Sequence, residues 1–243
     1  QAPARAVAGF AAGLCRLPGK LLEAVRYRSE TLGIPYRLGV WTLRARGIDR
    51  VERVELTDGK RTWSQECDLL CSSYGLIPNT ELARWLGCEV ERGGVTVDRF
   101  QRTSRPQVYC AGESTGIGGA DLAIAEGLVA AAHISSPTGD LGRLTAERDR
   151  LRAFSDRLAV AFEPRAELRD RVQPGTLVCR CEDVTWSRLD SSWTMRQAKL
   201  YTRLGMGPCQ GRVCGPAMQY LCGWSPDTVR PPLKPCRLET LTS

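Results

Sequence analysis

Histidine is almost missing from this chain: His133 is the only one in 243 residues. That removes histidine-based triads and the zinc-protease helix motif, and neither a nucleophile elbow nor a phosphate-binding P-loop is present. Lying near the end of a helix-like segment, His133 reads as a helix cap or a surface residue. No apolar run approaches about 18 residues, so no transmembrane segment is expected. Aromatics make up 7% of the residues and are not interleaved with basic ones, and no Lys/Arg block occurs, which argues against a nucleic-acid partner. The net charge of +7 is dispersed, +3 over residues 1–171 and +4 over residues 172–243, as a solvated Arg-rich surface with at most a mildly basic face for an acidic protein. Also absent is a Gly-x-Gly-x-x-Gly fingerprint after a strand, the loop that seats a dinucleotide diphosphate. The apolar stretch Ala6–Cys15 follows Arg5 but lacks an initiator Met and a cleavage site, so it is not read as a signal peptide. A chain that opens on Gln1 and runs straight into a helix-like segment is expected to be the back part of a longer protein.

What remains is an ordinary globular composition, 42% apolar and 25% charged, with one conspicuous excess: eleven cysteines. Seven of them (Cys15, Cys67, Cys71, Cys88, Cys110, Cys222, Cys236) are odd in number and irregular in spacing, which argues against a secreted disulfide framework. A reducing compartment follows, cytoplasmic or peripheral at the inner membrane. Cys67 and Cys71 would share one side of a strand and read as small core residues. The other four form a pattern. Cys179-Arg180-Cys181 is followed, after 27 residues, by Cys209-Gln210-Gly211-Arg212-Val213-Cys214. Four thiolates in such a chain point to a metal centre. Neither pair has the two-residue gap common in zinc knuckles, and a 2Fe-2S cluster accepts four thiolates at varied spacings, so both groups stay open on spacing alone.

The surroundings bear on that choice. Gly205 and Gly207 let the backbone approach an inorganic core, and Pro208 suits the first turn of a helix whose amides would face sulfur. Cys209 and Cys214 are about 140° apart on an ideal helix, so Cys209 should lie in a loop and Cys214 in a first turn. Arg180, Arg203 and Arg212 would offset the negative charge of four thiolates.

Along the chain, residues 1–32 read as helical with a break at Pro18-Gly19, then strands at 36–43, 51–56 and 61–64 with a Thr57–Lys60 hairpin turn. Residues 68–72 read as a buried strand leading to a turn at 74–79, and further strands are expected at 94–97 and 108–111. A small-residue helix over 118–133, a linker at 135–142 and an amphipathic helix marked by Leu144, Leu151, Phe154, Leu158 and Phe162 follow. The tail from Arg230 to Pro235 reads as extended. There is no internal repeat.

A strand ending in Cys110-Ala111-Gly112-Glu113 would place a carboxylate where α/β sheets bind ligands, next to Gly116-Ile117-Gly118-Gly119 opening the following helix. The same residues would also serve as an ordinary strand–loop–helix crossover.

The run Cys179–Val184, Ala198–Leu200 and Thr202–Arg212 resembles the small 2Fe-2S domain related to bacterioferritin-associated ferredoxin, in the version fused to the flavoprotein subunit of hydrogen cyanide synthase and of opine, proline and hydroxyproline dehydrogenases. That resemblance implies one 2Fe-2S cluster on Cys179, Cys181, Cys209 and Cys214. Likewise Thr103–Glu113 resembles the second FAD motif of the two-dinucleotide-binding, glutathione-reductase-like flavoproteins, and implies FAD contacts at Thr103, Gly112 and Glu113, extending to Gly118, Gly119 and Ala120. Asp68–Asn79 resembles the strand and turn closing the NAD-like domain of that family. The implied fold class is α/β: the C-terminal part of the NAD-like domain (1–92), the C-terminal part of the FAD domain (93–142), a helical connector (143–175) and a mainly helical 2Fe-2S domain with an extended tail (176–243). The implied function is electron transfer through FAD and 2Fe-2S between an amine- or imino-acid-oxidising partner subunit, with or without a small ferredoxin-like subunit, and an acceptor. A NAD(P)H-dependent reductase with the same cofactors and a non-enzymatic, zinc-stabilised interaction module are the rival readings.

Overall fold

The computed structural model describes residues 4–14, 17–225, 233, 237 and 239. Its helices are α1 (Ala4–Leu14), α2 (Pro18–Glu30), α3 (Glu81–Trp85), α4 (Gly119–Ser135), α5 (Gly142–Ala161), α6 (Met195–Thr202) and α7 (Cys214–Cys222). The strands are β1 (Trp41–Arg46), β2 (Arg53–Thr57), β3 (Thr62–Glu66), β4 (Val90–Glu91), β5 (Gly94–Val95), β6 (Leu177–Cys179) and β7 (Val184–Thr185). They divide between two compact units, one of residues 1–78 and 91–165, the other of residues 79–90 and 166–243. Among the described residues no helix is long and apolar enough to cross a membrane. Cys15, Cys236 and all but Leu233 of the proline-rich tail lie outside the described residues.

In the first unit Pro18 opens α2, where its missing N–H costs nothing. The antiparallel sheet β1-β2-β3 appears at the expected hairpin. Asp58 makes that turn: its Oδ1 accepts the amides of Lys60 (2.8 Å) and Arg61 (2.7 Å), and Gly59 sits at φ 89. The two amides, Arg61 first, hold the Asp58 carboxyl below its ordinary range.

Four expectations are corrected here. Residues 68–72 form no strand: Leu69 is 77% exposed, Cys71 is exposed and Cys67 half-buried. The sheet ends at β3, and among the described residues no strand stands beside 68–72 to satisfy its backbone. Residues 108–111 form a single bridge, Arg102 to Tyr109, because Gln101 and Gln107 turn through left-handed backbone at φ 65 and 64. On α5 the buried positions are Thr145, Arg148, Ser155 and Ala161, while Leu158 and Phe162 of the expected stripe are exposed. Leu144, Leu151 and Phe154 are half-buried, Phe154 against Phe10 with ring centroids 5.3 Å apart. Arg148 donates to Gln101 Oε1 and to the Arg99 carbonyl, both at 3.0 Å, so hydrogen bonds orient the helix together with part of the stripe. His133 is neither cap nor surface residue but core: it is 6% exposed, stacked on Phe100 at 4.5 Å and hydrogen-bonded through Nδ1 to the Tyr109 hydroxyl at 2.9 Å.

The second unit is built on a small core of Val184, Ala198, Leu204 and Met218, each 0% exposed. A capping box starts α6, Thr194 accepting from the Gln197 amide and Gln197 reaching back to the Thr194 amide. Arg203 ends it in the left-handed region at φ 68, which reverses the chain into the glycine-rich loop.

Candidate functional site

Cys179 ends β6 and Cys214 is the first residue of α7; both are 2% exposed and belong to the second unit's core. Cys181 lies in the exposed turn between β6 and β7, and Cys209, half-buried, in the turn before α7. The loop placement of Cys209 and first-turn placement of Cys214 agree with the helical geometry read from their spacing. Pro208, expected to start a helix, sits instead in a run of turns over 208–213. The turns have a consequence: the amides of Val213, Gly211 and Arg212 act to lower the Cys209 thiol and the Cys209 amide acts to lower Cys181, while the Arg212 N–H itself donates to the Cys209 carbonyl at 3.1 Å.

The four thiols meet as two pairs, Cys179 with Cys214 and Cys181 with Cys209. Electrostatic coupling of Cys209 to Cys214 and of Cys179 to Cys181 links the pairs. Burial, with the neighbouring Cys179 adding to it, pushes the Cys214 thiol up to about 12. Burial also acts to raise Cys209, but the amide of Val213, the Cys181 thiol and the amides of Gly211 and Arg212 outweigh it, so this thiol falls below its ordinary value. Cys181 is raised: the Cys209 amide opposes the shift, and the Cys209 side chain and burial prevail. Among the described residues no three His, Cys, Asp or Glu side chains stand where one metal ion would hold them.

Two glycines make this crossing of chains possible. A Cβ on Gly207 would lie 2.2 Å from Cys181 Cβ. Gly205, at φ +76, would place one 3.4 Å from Gly211 Cα and 3.7 Å from Cys214 Sγ. Arg203 and Arg212 do not stand as free positive charges beside the thiols: Arg203 Nε donates to Glu182 Oε2 at 2.7 Å, and Arg212 donates twice to Glu81 Oε2, at 2.8 and 3.2 Å. Arg180 is exposed.

In the first unit Gly112, at φ 83, turns the chain into a short 3-10 turn over Glu113–Thr115, and Glu113 is exposed. Gly118 precedes α4; Gly119 and Ala120 open it on the surface. A Cβ on Gly118 would meet Leu122 Cδ2 at 2.2 Å, whereas nothing lies within 4 Å of one on Gly119. The start of α4 therefore lies at the surface, a few residues after the exposed Glu113 carboxylate, with Lys20 of α2 paired to Asp121 in its first turn at 2.8 Å. Thr103 is held within its own turn, its hydroxyl donating to the Val108 carbonyl at 2.9 Å.

Sequence reasoning missed Glu126, wholly buried on α4 and 0% exposed. It accepts the Gly112 amide (2.7 Å) and the Thr115 hydroxyl (2.8 Å), and pairs with Arg152 of α5. An acid four residues after Leu122 and three before Val129, on the apolar face of a helix, was the one sign of it in the sequence.

Residues 14–127 match the family model described as pyridine nucleotide-disulphide oxidoreductase. An opine oxidase subunit of Rhizobium meliloti (strain 1021) is 35% identical over 190 residues, 68% of this chain and 41% of that protein. The hydrogen cyanide synthase subunit HcnB of Pseudomonas protegens is 27% identical over 210 residues, 75% of this chain and 45% of that protein. The solved structure of L-proline dehydrogenase from P. horikoshii shares the fold with a TM-score of 0.62 at 24% identity, over 90% of this chain and 48% of that one. The chain thus spans less than half the length of these relatives. Over residues 14–127 it is similar to the pyridine nucleotide-disulphide oxidoreductases, and over most of its length to subunits of opine oxidase and of hydrogen cyanide synthase.

Proposed function

We propose that this chain is the flavin- and iron–sulfur-bearing electron-transfer part of a heteromeric dehydrogenase that oxidises amino or imino acids, or of a hydrogen cyanide synthase. The observation that carries the reading is the thiol quartet: two pairs, joined through a glycine-only crossing, with backbone amides acting to lower Cys209 and Cys181. Two pairs of thiols can supply the four thiolates that a two-iron cluster takes, at spacings that are not the common two-residue zinc gap. Cys179, Cys181, Cys209 and Cys214 would hold that group. Glu113 would accept hydroxyl hydrogen bonds from the flavin chain, Gly112 would allow close approach, and Gly118, Gly119 and Ala120 would present the amides of α4 to the ring. With both bound, the flavin supplies two-electron chemistry and the cluster carries single electrons. The protein's own work is to place these groups, shield Cys179 and Cys214 from water, and satisfy the exposed sulfurs with N–H donors. Substrate oxidation belongs to an oxidase-like partner, a reading supported by the relatives being named as subunits.

Without a diphosphate loop, residues 1–243 are expected to hold FAD weakly. The chain purified anaerobically should show iron–sulfur absorption in the visible and lose its flavin on gel filtration, binding it again only from excess. Tight, stoichiometric FAD on the isolated chain would contradict the division of labour proposed; a colourless protein would contradict the cluster.

A further inference from the structure

The loop that carries Glu113 is fixed from beneath by the buried Glu126 and Ser155 and the half-buried Arg152. Glu126 is buried on the apolar side of α4, where an aliphatic side chain would sit at lower cost than a carboxylate. All its described partners come from the loop or from α5. Its Oε2 takes the Gly112 amide at 2.7 Å and the Thr115 hydroxyl at 2.8 Å. Arg152 pairs with its Oε1 and donates to Thr115 Oγ1 at 2.8 Å. One helical turn on, the Ser155 hydroxyl donates to the Ile117 carbonyl at 2.9 Å. From the other side β5 closes in, so that a Cβ on Gly94 would lie 2.7 Å from the Thr115 carbonyl oxygen.

We infer that Glu126 and Arg152 are positioning residues: they clamp residues 112–118 and thereby set Glu113 and the start of α4 in the geometry a flavin requires. The inference rests on the flavin reading above. It also gives α5 a role other than that of a connector, since Arg152 and Ser155 tie the helix to the loop. Fixing the loop before the ligand arrives spares binding the entropy of ordering it.

The clamp separates from mere stability through E126L set against V129A. Leucine fills the buried position but leaves the Gly112 amide and Arg152 without their acceptor. E126L should therefore lose some stability as well as release the loop, and V129A is the control for loss of stability alone. In the 243-residue chain without flavin, exchange of the Gly112 amide should quicken about tenfold or more, the loss of one hydrogen bond of ordinary strength. The Kd for FAD, titrated from excess, should rise by a similar factor. E126Q, which keeps the shape, serves if E126L does not fold, and should shift both readouts the same way. V129A, removing a side chain 0% exposed on the same face, should lower stability and leave both loop readouts alone. Unchanged Gly112 exchange in the Glu126 variants overturns the inference. So does an unchanged Kd for FAD despite faster exchange, or a Kd moved as far by V129A. If exchange responds but the wild-type chain binds no FAD at any concentration, the clamp stands and the flavin reading fails.

Discussion

Replacing Cys209 by serine is expected to stop substrate-driven dye reduction by the assembled enzyme, a fall of at least about a hundredfold, or roughly 2.7 kcal/mol in barrier height, while the oxidase-like partner keeps its own flavin. Against burial, Cys209 is held below its ordinary thiol value by the neighbouring amides and by Cys181, its partner. A serine hydroxyl there would face the same amides but is a poorer ligand for iron, so the pair nearest the surface would be lost. Cys222 is the matched control: it is half-buried against the same core, belongs to neither pair, and its serine variant should keep the activity. Wild-type dye reduction by the Cys209→Ser enzyme would show that electrons do not pass through this unit.

The second large effect is steric. Gly207→Ala should empty the site, because the new methyl would lie 2.2 Å from Cys181 Cβ and backbone on both sides must move. Overpacking of this kind costs about 1–3 kcal/mol before any loss of cluster binding is added. Gly215, in the first turn of α7, has nothing within 4 Å of an added Cβ. Alanine there should be neutral or stabilising by up to about 1 kcal/mol. Iron content and denaturant unfolding of the two variants, measured side by side, check the contrast. A Gly207→Ala protein with full iron content would show that the close crossing is not needed.

The parts of the molecule that could be read from sequence are those fixed by local chemistry. Asp58-Gly59 specifies its hairpin because the Asp58 carboxylate caps the turn's own amides. The five-residue interval from Cys209 to Cys214 keeps both from facing one metal out of a single regular helix, and α7 begins at Cys214 with Cys209 in the turns before it. What could not be read depends on partners far along the chain. Residues 68–72 have the composition of a buried strand, but a strand exists only beside another. The face that α5 buries is set in part by Arg148 and Ser155 reaching carbonyls and a glutamine in segments before α4, so the apolar stripe, of which only Leu144, Leu151 and Phe154 turn inward, does not give it alone. His133 is core because Phe100 and Tyr109 come to it from another segment. Glu126 escaped notice for the same reason: its carboxylate is satisfied by Gly112 and Thr115, fourteen and eleven residues upstream, and by Arg152 of a different helix.

The central claim is that Cys179, Cys181, Cys209 and Cys214 together hold one 2Fe-2S cluster, and metal analysis tests it most directly. On chain purified without oxygen, iron and acid-labile sulfide should each come to about two per chain, with zinc absent. Stoichiometric zinc without sulfide would contradict the account and leave a zinc-stabilised module in its place.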